Sequence, residues 1–138
     1  QYPTTCLILD IDDLKITNDK LGEHAGDKAI MELANILRGV TRGYDILARY
    51  ASDEFAIVLP QVKPEQGLKV AERLRRKVET HTFPVGDTTA SLTISIGLAV
   101  FPGDGEEVED LLQAAESALL AAKQLGKNRS CVFGTPTV

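Results

Sequence analysis

Apolar and polar positions along the chain fall into segments whose period changes from one to the next. Thr4 to Ile11 is an almost uninterrupted apolar run ending in Asp10, Asp12 and Asp13, the pattern of a buried central strand that delivers acids to its C-terminal end. Asp13 to Leu21 predicts a short helix stopped by Gly22. Gly26 then opens a longer helix, with Ile30, Leu33, Ala34 and Leu37 at helical spacing and Gly39 and Gly43 bracketing its end. Asp45 to Tyr50 and Phe55 to Leu59 are strand-like runs separated by Ala-Ser-Asp-Glu, a hairpin with acids at its tip, closed by Pro60. Pro64 opens a helix through about Thr80, with Ala71, Leu74 and Val78 on one face and Arg73, Arg75, Arg76 and Lys77 mostly outside. Ser91 to Val100 alternates, Leu92, Ile94, Ile96 and Leu98 against Thr93, Ser95 and Gly97, which predicts a half-buried strand ended by Pro102 and Gly103. A helical stripe from Val108 through Leu111, Ala115, Ala118, Leu119 and Ala122 reaches Gly126, and Ser130 to Phe133 reads as a final edge strand.

The order β, α, β-hairpin, α, β is an α+β arrangement: a two-layer, ferredoxin-like βαββαβ core with a mainly antiparallel central sheet, extended by a C-terminal helix and strand. Many functions share that architecture, so the fold alone selects none.

The chain has 138 residues, the size of one globular domain over residues 1–138. No apolar run approaches the roughly 20 residues of a membrane helix, so no membrane insertion by this domain is expected. Cys6 and Cys131 sit in apolar runs without Cys or His at metal spacing and read as two buried free thiols, which suits a reducing cytoplasm. The formal net charge of -5 argues against non-specific nucleic-acid binding; a polyanionic ligand would need a metal ion or local Lys and Arg. The opening at Gln1 without Met and the closing Gly134-Thr135-Pro136 read as a module excised from a multidomain protein.

Two acidic tips carry the candidate chemistry: Asp10, Asp12 and Asp13 at the end of the first strand, and Asp53 and Glu54 at the hairpin turn. In a βαββαβ core the first strand pairs beside the hairpin, which brings Asp10 and Asp53 to one edge. Converging carboxylates repel unless they share a cation, and hard oxygen ligands favour magnesium or manganese. The plainer reading makes Asp12 or Asp13 a helix N-cap and Asp53 a turn former.

The stretch Asp10-Ile11-Asp12-Asp13-Leu14-Lys15-Ile16-Thr17-Asn18-Asp19, then Gly22, Gly26-Asp27 and Arg49-Tyr50-Ala51-Ser52-Asp53-Glu54-Phe55, resembles the GGDEF family of diguanylate cyclases. The agreement continues through Ser95-Ile96-Gly97 and Ala122-Lys123 to Gly126-Lys127-Asn128, nearly the whole chain. The resemblance implies a nucleotide-cyclase-type core that joins two GTP molecules, one on each of two facing domains, by attack of a 3′-hydroxyl on an α-phosphate. It assigns metal binding to Asp10, the Ile11 carbonyl and Asp53, with Asp53 or Glu54 activating the hydroxyl. Asn18 and Asp27 match the guanine-reading positions, Leu14 and Lys15 fall in the same GTP site, and Lys123 and Lys127 match the basic positions for the β and γ phosphates. Arg42-Gly43-Tyr44-Asp45 falls where the family places its RxxD product-inhibition site, with Arg73 as second arginine; the arginines would clamp cyclic di-GMP.

The chain also departs from the pattern. Ala51 and Ser52 replace two glycines, which supply positive φ and close approach at a hairpin tip, so strain in the turn or displacement of nucleotide is expected. Ser52 is the more serious change, because misplacing a reacting atom by about 1 Å can cost about a hundredfold in rate. Asp13 puts a carboxylate beside the triphosphate position in place of an aromatic or His, Glu23-His24 shifts the usual Gly-His, and Lys127 stands for Arg. The family's N-terminal Asp-x-Leu-Thr segment and its helix are not in this sequence. These residues point to a degenerate diguanylate cyclase, impaired in synthesis, that still binds cyclic di-GMP or GTP and acts as a regulator. An active cyclase with a tolerated signature is the alternative, and the many ligand-type residues speak against a purely structural dimerisation module. A homodimeric parent, membrane-attached or not, with a sensory or phosphodiesterase-type neighbour is the expected setting.

Overall fold

A computed structural model describes residues 3–134. The chain runs through β1 (Thr4–Ile11), α1 (Leu14–Leu21), α2 (Glu23–Val40), β2 (Ile46–Ala51), β3 (Glu54–Pro60), α3 (Pro64–Glu79), β4 (Thr82–Val85), β5 (Thr88–Ser91), β6 (Ile94–Phe101), α4 (Val108–Gln124) and β7 (Ser130–Val132). The closing Thr135-Pro136 lies outside the described residues. Five strands form one sheet in the order β2-β3-β1-β6-β7, antiparallel throughout except for the β6–β7 pair. The α+β core expected from the order of elements is therefore present, with β1 central.

Strand alternation divides the core into two layers. Leu7, Leu9 and Ile11 of β1, Phe55, Ile57 and Leu59 of β3 and Ile94, Ile96 and Leu98 of β6 pack under α2 and α3 through Leu33, Leu37, Ala71, Leu74 and Val78. Cys6, Ile8, Ala56 and Ala99 face the other way, onto Leu111, Ala114, Ala115 and Leu119 of α4. The appended C-terminal helix thus covers the second face of the sheet.

Several boundaries differ from the sequence expectation. The long helix begins at Glu23, not Gly26; Gly26 is a buried contact within it, because Asn18 of α1 lies against its backbone. Helix α2 also runs through Gly39. β6 is buried on both faces rather than half-buried, since Ser95 and Gly97 are covered together with Ile94, Ile96 and Leu98. The polar residues before it belong to the small hairpin β4–β5, which the alternating pattern concealed. Cys6 is buried and burial pushes its thiol up to about 11, whereas Cys131 is only half-buried on the edge strand; both are free. Among the described residues no helix is long and apolar enough to cross a membrane.

Gly97 lets α4 approach the sheet closely. A Cβ there would stand 2.1 Å from the Ala115 carbonyl oxygen and 2.2 Å from the Leu119 nitrogen, both backbone atoms that cannot rotate aside. Gly97→Ala is expected to destabilise the fold by about 1–3 kcal/mol through overpacking. Gly39→Ala, where an added Cβ meets nothing within 4 Å, is expected to stabilise it by about 0.5–1 kcal/mol. Urea unfolding of both variants against the parent sequence checks the contrast.

Candidate functional site

The register of β1 sets the acidic cluster. Asp10 stands opposite Glu54 on β3 and Ser95 on β6, all on the α4 side by the alternation that turns Cys6 and Ile8 there. Helix α4 brings Glu116 and Lys123 to the same place; seven residues apart, they share a helix face. Lys123 Nζ donates to Asp10 Oδ2 at 2.8 Å and stands 2.8 Å from the buried Oδ1 as well, so one ammonium faces both carboxylate oxygens. Burial pushes the Asp10 carboxyl up; Lys123 opposes that shift, and Asp53 and Asp12 add to it, for a net rise.

Glu54 is perturbed more strongly. Burial first, then the hydrogen bond and charge of Glu116, then Asp10 and Asp53, push its carboxyl from an ordinary 4.5 up to about 8. Glu116 Oε1 is also buried without a partner. Sequence reading missed Glu116, although its spacing from Lys123 on the apolar stripe was available as a signal.

Asp12 has a different part from its neighbours. It is buried, and its carboxylate accepts from Thr93 Oγ1 at 2.7 Å, Ser95 Oγ at 2.6 Å and the Asn128 backbone N–H at 2.9 Å. It ties the end of β1 to β6 and to the loop after α4. Asp13 occupies the N-cap position of α1 but makes no side-chain cap bond; its backbone is left-handed (φ 58°) and its carboxylate is ion-paired with Lys127. The capping reading therefore holds for the position of Asp13 and not for its side chain.

The turn between β2 and β3 carries Ala51, Ser52 and Asp53 with a register irregularity between Arg49 and Ala51. Neither Ala51 nor Ser52 has positive φ, so the strain expected from losing two glycines is absent. Arg49 instead holds the turn: its guanidinium donates to the Ser52 carbonyl and lies over the Phe55 ring, 5.6 Å from the centroid.

The proposed guanine positions sit at the α1–α2 crossing. A Cβ on Gly26 would stand 2.0 Å from Asn18 Oδ1, which is buried against the Gly26 backbone without a hydrogen-bond partner. Asp27 is exposed on the next position of α2, Leu14 packs at the edge of the core, and Lys15 is exposed.

A second constellation lies on the α2 and α3 side. Arg42 donates to Asp45 from its backbone N–H (2.7 Å), Nε (3.2 Å) and Nη2 (2.9 Å), and its guanidinium stacks over Tyr44, 4.3 Å from the centroid. Burial pushes the Asp45 carboxyl up, but the bonds and charge of Arg42 outweigh it and hold the group below the ordinary range. Arg42, Asp45 and Arg73 line one cavity of about 320 Å³ with Val40, Leu59, Val62, Gln66 and Val70. Arg75, expected outside with its neighbours, is largely buried against Glu72 and Asn128. His81 pairs with Glu32 at 2.7 Å and meets Phe83 edge to face, a structural contact.

Residues 1–129 match the family described as "Diguanylate cyclase, GGDEF domain". Over 123 residues the chain is 37% identical to Diguanylate cyclase A of Treponema denticola, covering 89% of this chain and 33% of that protein. It is 32% identical over 127 residues to the bifunctional diguanylate cyclase/cyclic di-GMP phosphodiesterase MucR of Pseudomonas aeruginosa, covering 92% of this chain and 18% of that one. The active GGEEF domain of a diguanylate cyclase from Vibrio cholerae superposes with a TM-score of 0.88 at 27% identity, over 98% of this chain and 85% of that one. The chain belongs to the GGDEF domain family. It spans a third or less of the length of these two curated relatives.

The raised carboxyl of Glu54 gives a pH dependence with a definite sign. Its ionised form is disfavoured in the folded chain, so its favourable contribution is complete below about 4.5 and declines as pH rises to about 8. The metal-free domain is expected to lose stability across that window, and Glu54→Gln to remove most of the slope. Denaturant unfolding at a series of pH values checks this; an equal slope in the variant would place the effect on another group.

Proposed function

We propose that this domain is a degenerate diguanylate cyclase, weak or inactive in condensing GTP, which binds cyclic di-GMP and GTP and serves as a regulator in cyclic di-GMP signalling. Arg73 is distant in sequence from the Arg42–Asp45 pair yet lines one cavity with it, and that convergence carries the reading. Two guanidiniums and a carboxylate around one cavity suit the guanine edges and phosphates of a cyclic dinucleotide.

The GTP half of the reading draws on the acidic end of β1. Asn18 would offer its amide and Asp27, exposed on α2, a carboxylate to the guanine edge. Lys123 and Lys127 would receive the outer phosphates. Asp10, the Ile11 carbonyl and Asp53 would hold magnesium or manganese: the Asp10 carboxylate with Asp53 and Glu54 crowded beside it makes an all-oxygen donor set whose charge Lys123 answers only in part. Among the described residues no three acidic, His or Cys groups already form a ligand cage, and Lys123 supplies the nearby charge. When bound, the ion would neutralise phosphate charge. In the metal-free domain Glu54 keeps its proton up to about pH 8, so it would take a hydroxyl proton only once a bound cation favoured its ionised form.

Impairment follows from what the lysines already touch. Lys123 is paired with Asp10 and Lys127 with Asp13, so an incoming triphosphate competes with carboxylates for both charges. Ala51 and Ser52 add side chains beside the reacting phosphate. Each domain would carry one GTP, so condensation needs a second copy facing it, and the parent protein is read as a cytoplasmic-facing homodimer. The name of the Pseudomonas aeruginosa relative makes a phosphodiesterase-type neighbour a reasonable companion domain. An active cyclase remains the second reading, favoured by the ordinary φ of Ala51 and Ser52.

Incubation of the longest soluble form of the parent protein with GTP and magnesium, with cyclic di-GMP quantified by chromatography, separates the two readings. The expected outcome is little or no product from the wild type and at least about tenfold more from Ala51→Gly with Ser52→Gly. Abundant wild-type product would instead make this an enzyme. Calorimetric titration with cyclic di-GMP tests the cavity: Arg42→Ala or Arg73→Ala is expected to weaken binding by about tenfold or more, and unchanged affinity would remove the cavity from the account.

A further inference from the structure

The loop between α4 and β7 contains an unusual backbone. Lys127 and Asn128 are consecutive non-glycine residues with positive φ, 65° and 48°. Left-handed conformations cost energy in residues with a Cβ and persist where the surroundings over-determine them. The surroundings here do so. Arg75 Nη1 donates to Asn128 Oδ1 at 3.0 Å, Asn128 Nδ2 donates to Glu79 Oε2 at 2.6 Å, and the Asn128 backbone N–H donates to Asp12 at 2.9 Å. Arg75 is itself oriented by Glu72, through bonds of 2.9 Å from both Nε and Nη2, with Glu79 3.6 Å from Nη1. Asp12 is anchored in turn by Thr93 and Ser95.

We infer that Arg75 is a positioning residue for nucleotide triphosphate: with Glu79 and Asp12 it clamps Asn128, and the clamp holds the strained turn that aims Lys127 toward the outer phosphates. Lys127 adjoins the clamped residue, and its ammonium lies at Asp13, at the end of β1 beside the acidic cluster. A lysine has four rotatable side-chain bonds and is a poorly oriented point charge unless its backbone is fixed. The planar fork of Arg75 can do that because it engages a carboxylate and an amide together. This inference rests on the reading that the β1 end receives GTP. It adds a selectivity: the clamp matters for ligands with β and γ phosphates and is indifferent to those without.

The test uses the parent protein with magnesium and two probes, GTP carrying a methylene bridge between its α and β phosphates, and GMP. Arg75→Gln is expected to weaken binding of the triphosphate probe by about fivefold or more while GMP changes by less than about twofold. Hydrogen exchange at the Asn128 amide should accelerate in the same variant, because the loop that presents it to Asp12 loses a fixed partner. Equal losses for both probes would reduce Arg75 to a general support of the fold and overturn the inference, as would unchanged exchange or unchanged triphosphate affinity. Asn128→Gly keeps the left-handed backbone while deleting the side-chain bonds, and is expected to reproduce the selective loss if Arg75→Gln does not fold. Failure of the wild type to bind the triphosphate probe would sink the underlying GTP reading as well, and is visible before any variant is made.

Discussion

The depth at which α4 sits on β6 governs the acidic end of the sheet. Gly97 presents bare backbone to Ala115 and Leu119, and any side chain there would lift the helix. With the helix seated, Lys123 reaches Asp10 and Glu116 reaches Glu54. Packing that is purely steric at its centre thereby sets an electrostatic balance at its edge. Interiors packed at crystal-like density transmit such constraints because neighbours have little room to yield.

The charge balance itself is uneven. Burial first, and then the crowding of Glu116, Asp10 and Asp53, keep the Glu54 proton far above the ordinary range, and Lys123 answers only part of the local charge. Asp12, by contrast, accepts from three donors. Two carboxylates two residues apart, Asp10 on β1 and Asp12 just past its end, thus have opposite fates. Asp10 faces the Lys123 ammonium, while Asp12 is consumed in holding the loops together.

On the opposite side of the sheet, Arg42, Asp45 and Arg73 converge through the packing of α2 and α3. Helix α3 serves both regions. Arg73 lines the cavity, and Arg75, two residues on, turns toward Asn128 in the loop after α4. A change in the seating of α3 would be felt at both places.

Much of this is legible in the amino-acid sequence itself. The apolar run of β1, the hairpin around Asp53, the helical stripes and the pairing order all carry strong periodic signals, and the spacing of Asp10, Asn18, Asp27, Asp53, Lys123 and Lys127 carries the family resemblance. The small β4–β5 hairpin is hidden because its short, polar strands lack a periodic apolar face. Glu116, the buried bonding of Asp12, the Arg75–Asn128 clamp and the ordinary φ of Ala51 and Ser52 are decided by tertiary structure alone. The physical reason is range. Periodicity and turn chemistry are local properties that neighbouring residues determine together, whereas hydrogen-bond partners, burial of charge and the backbone a turn adopts depend on residues brought near from far along the chain, as Arg75 is to Asn128 across 53 positions.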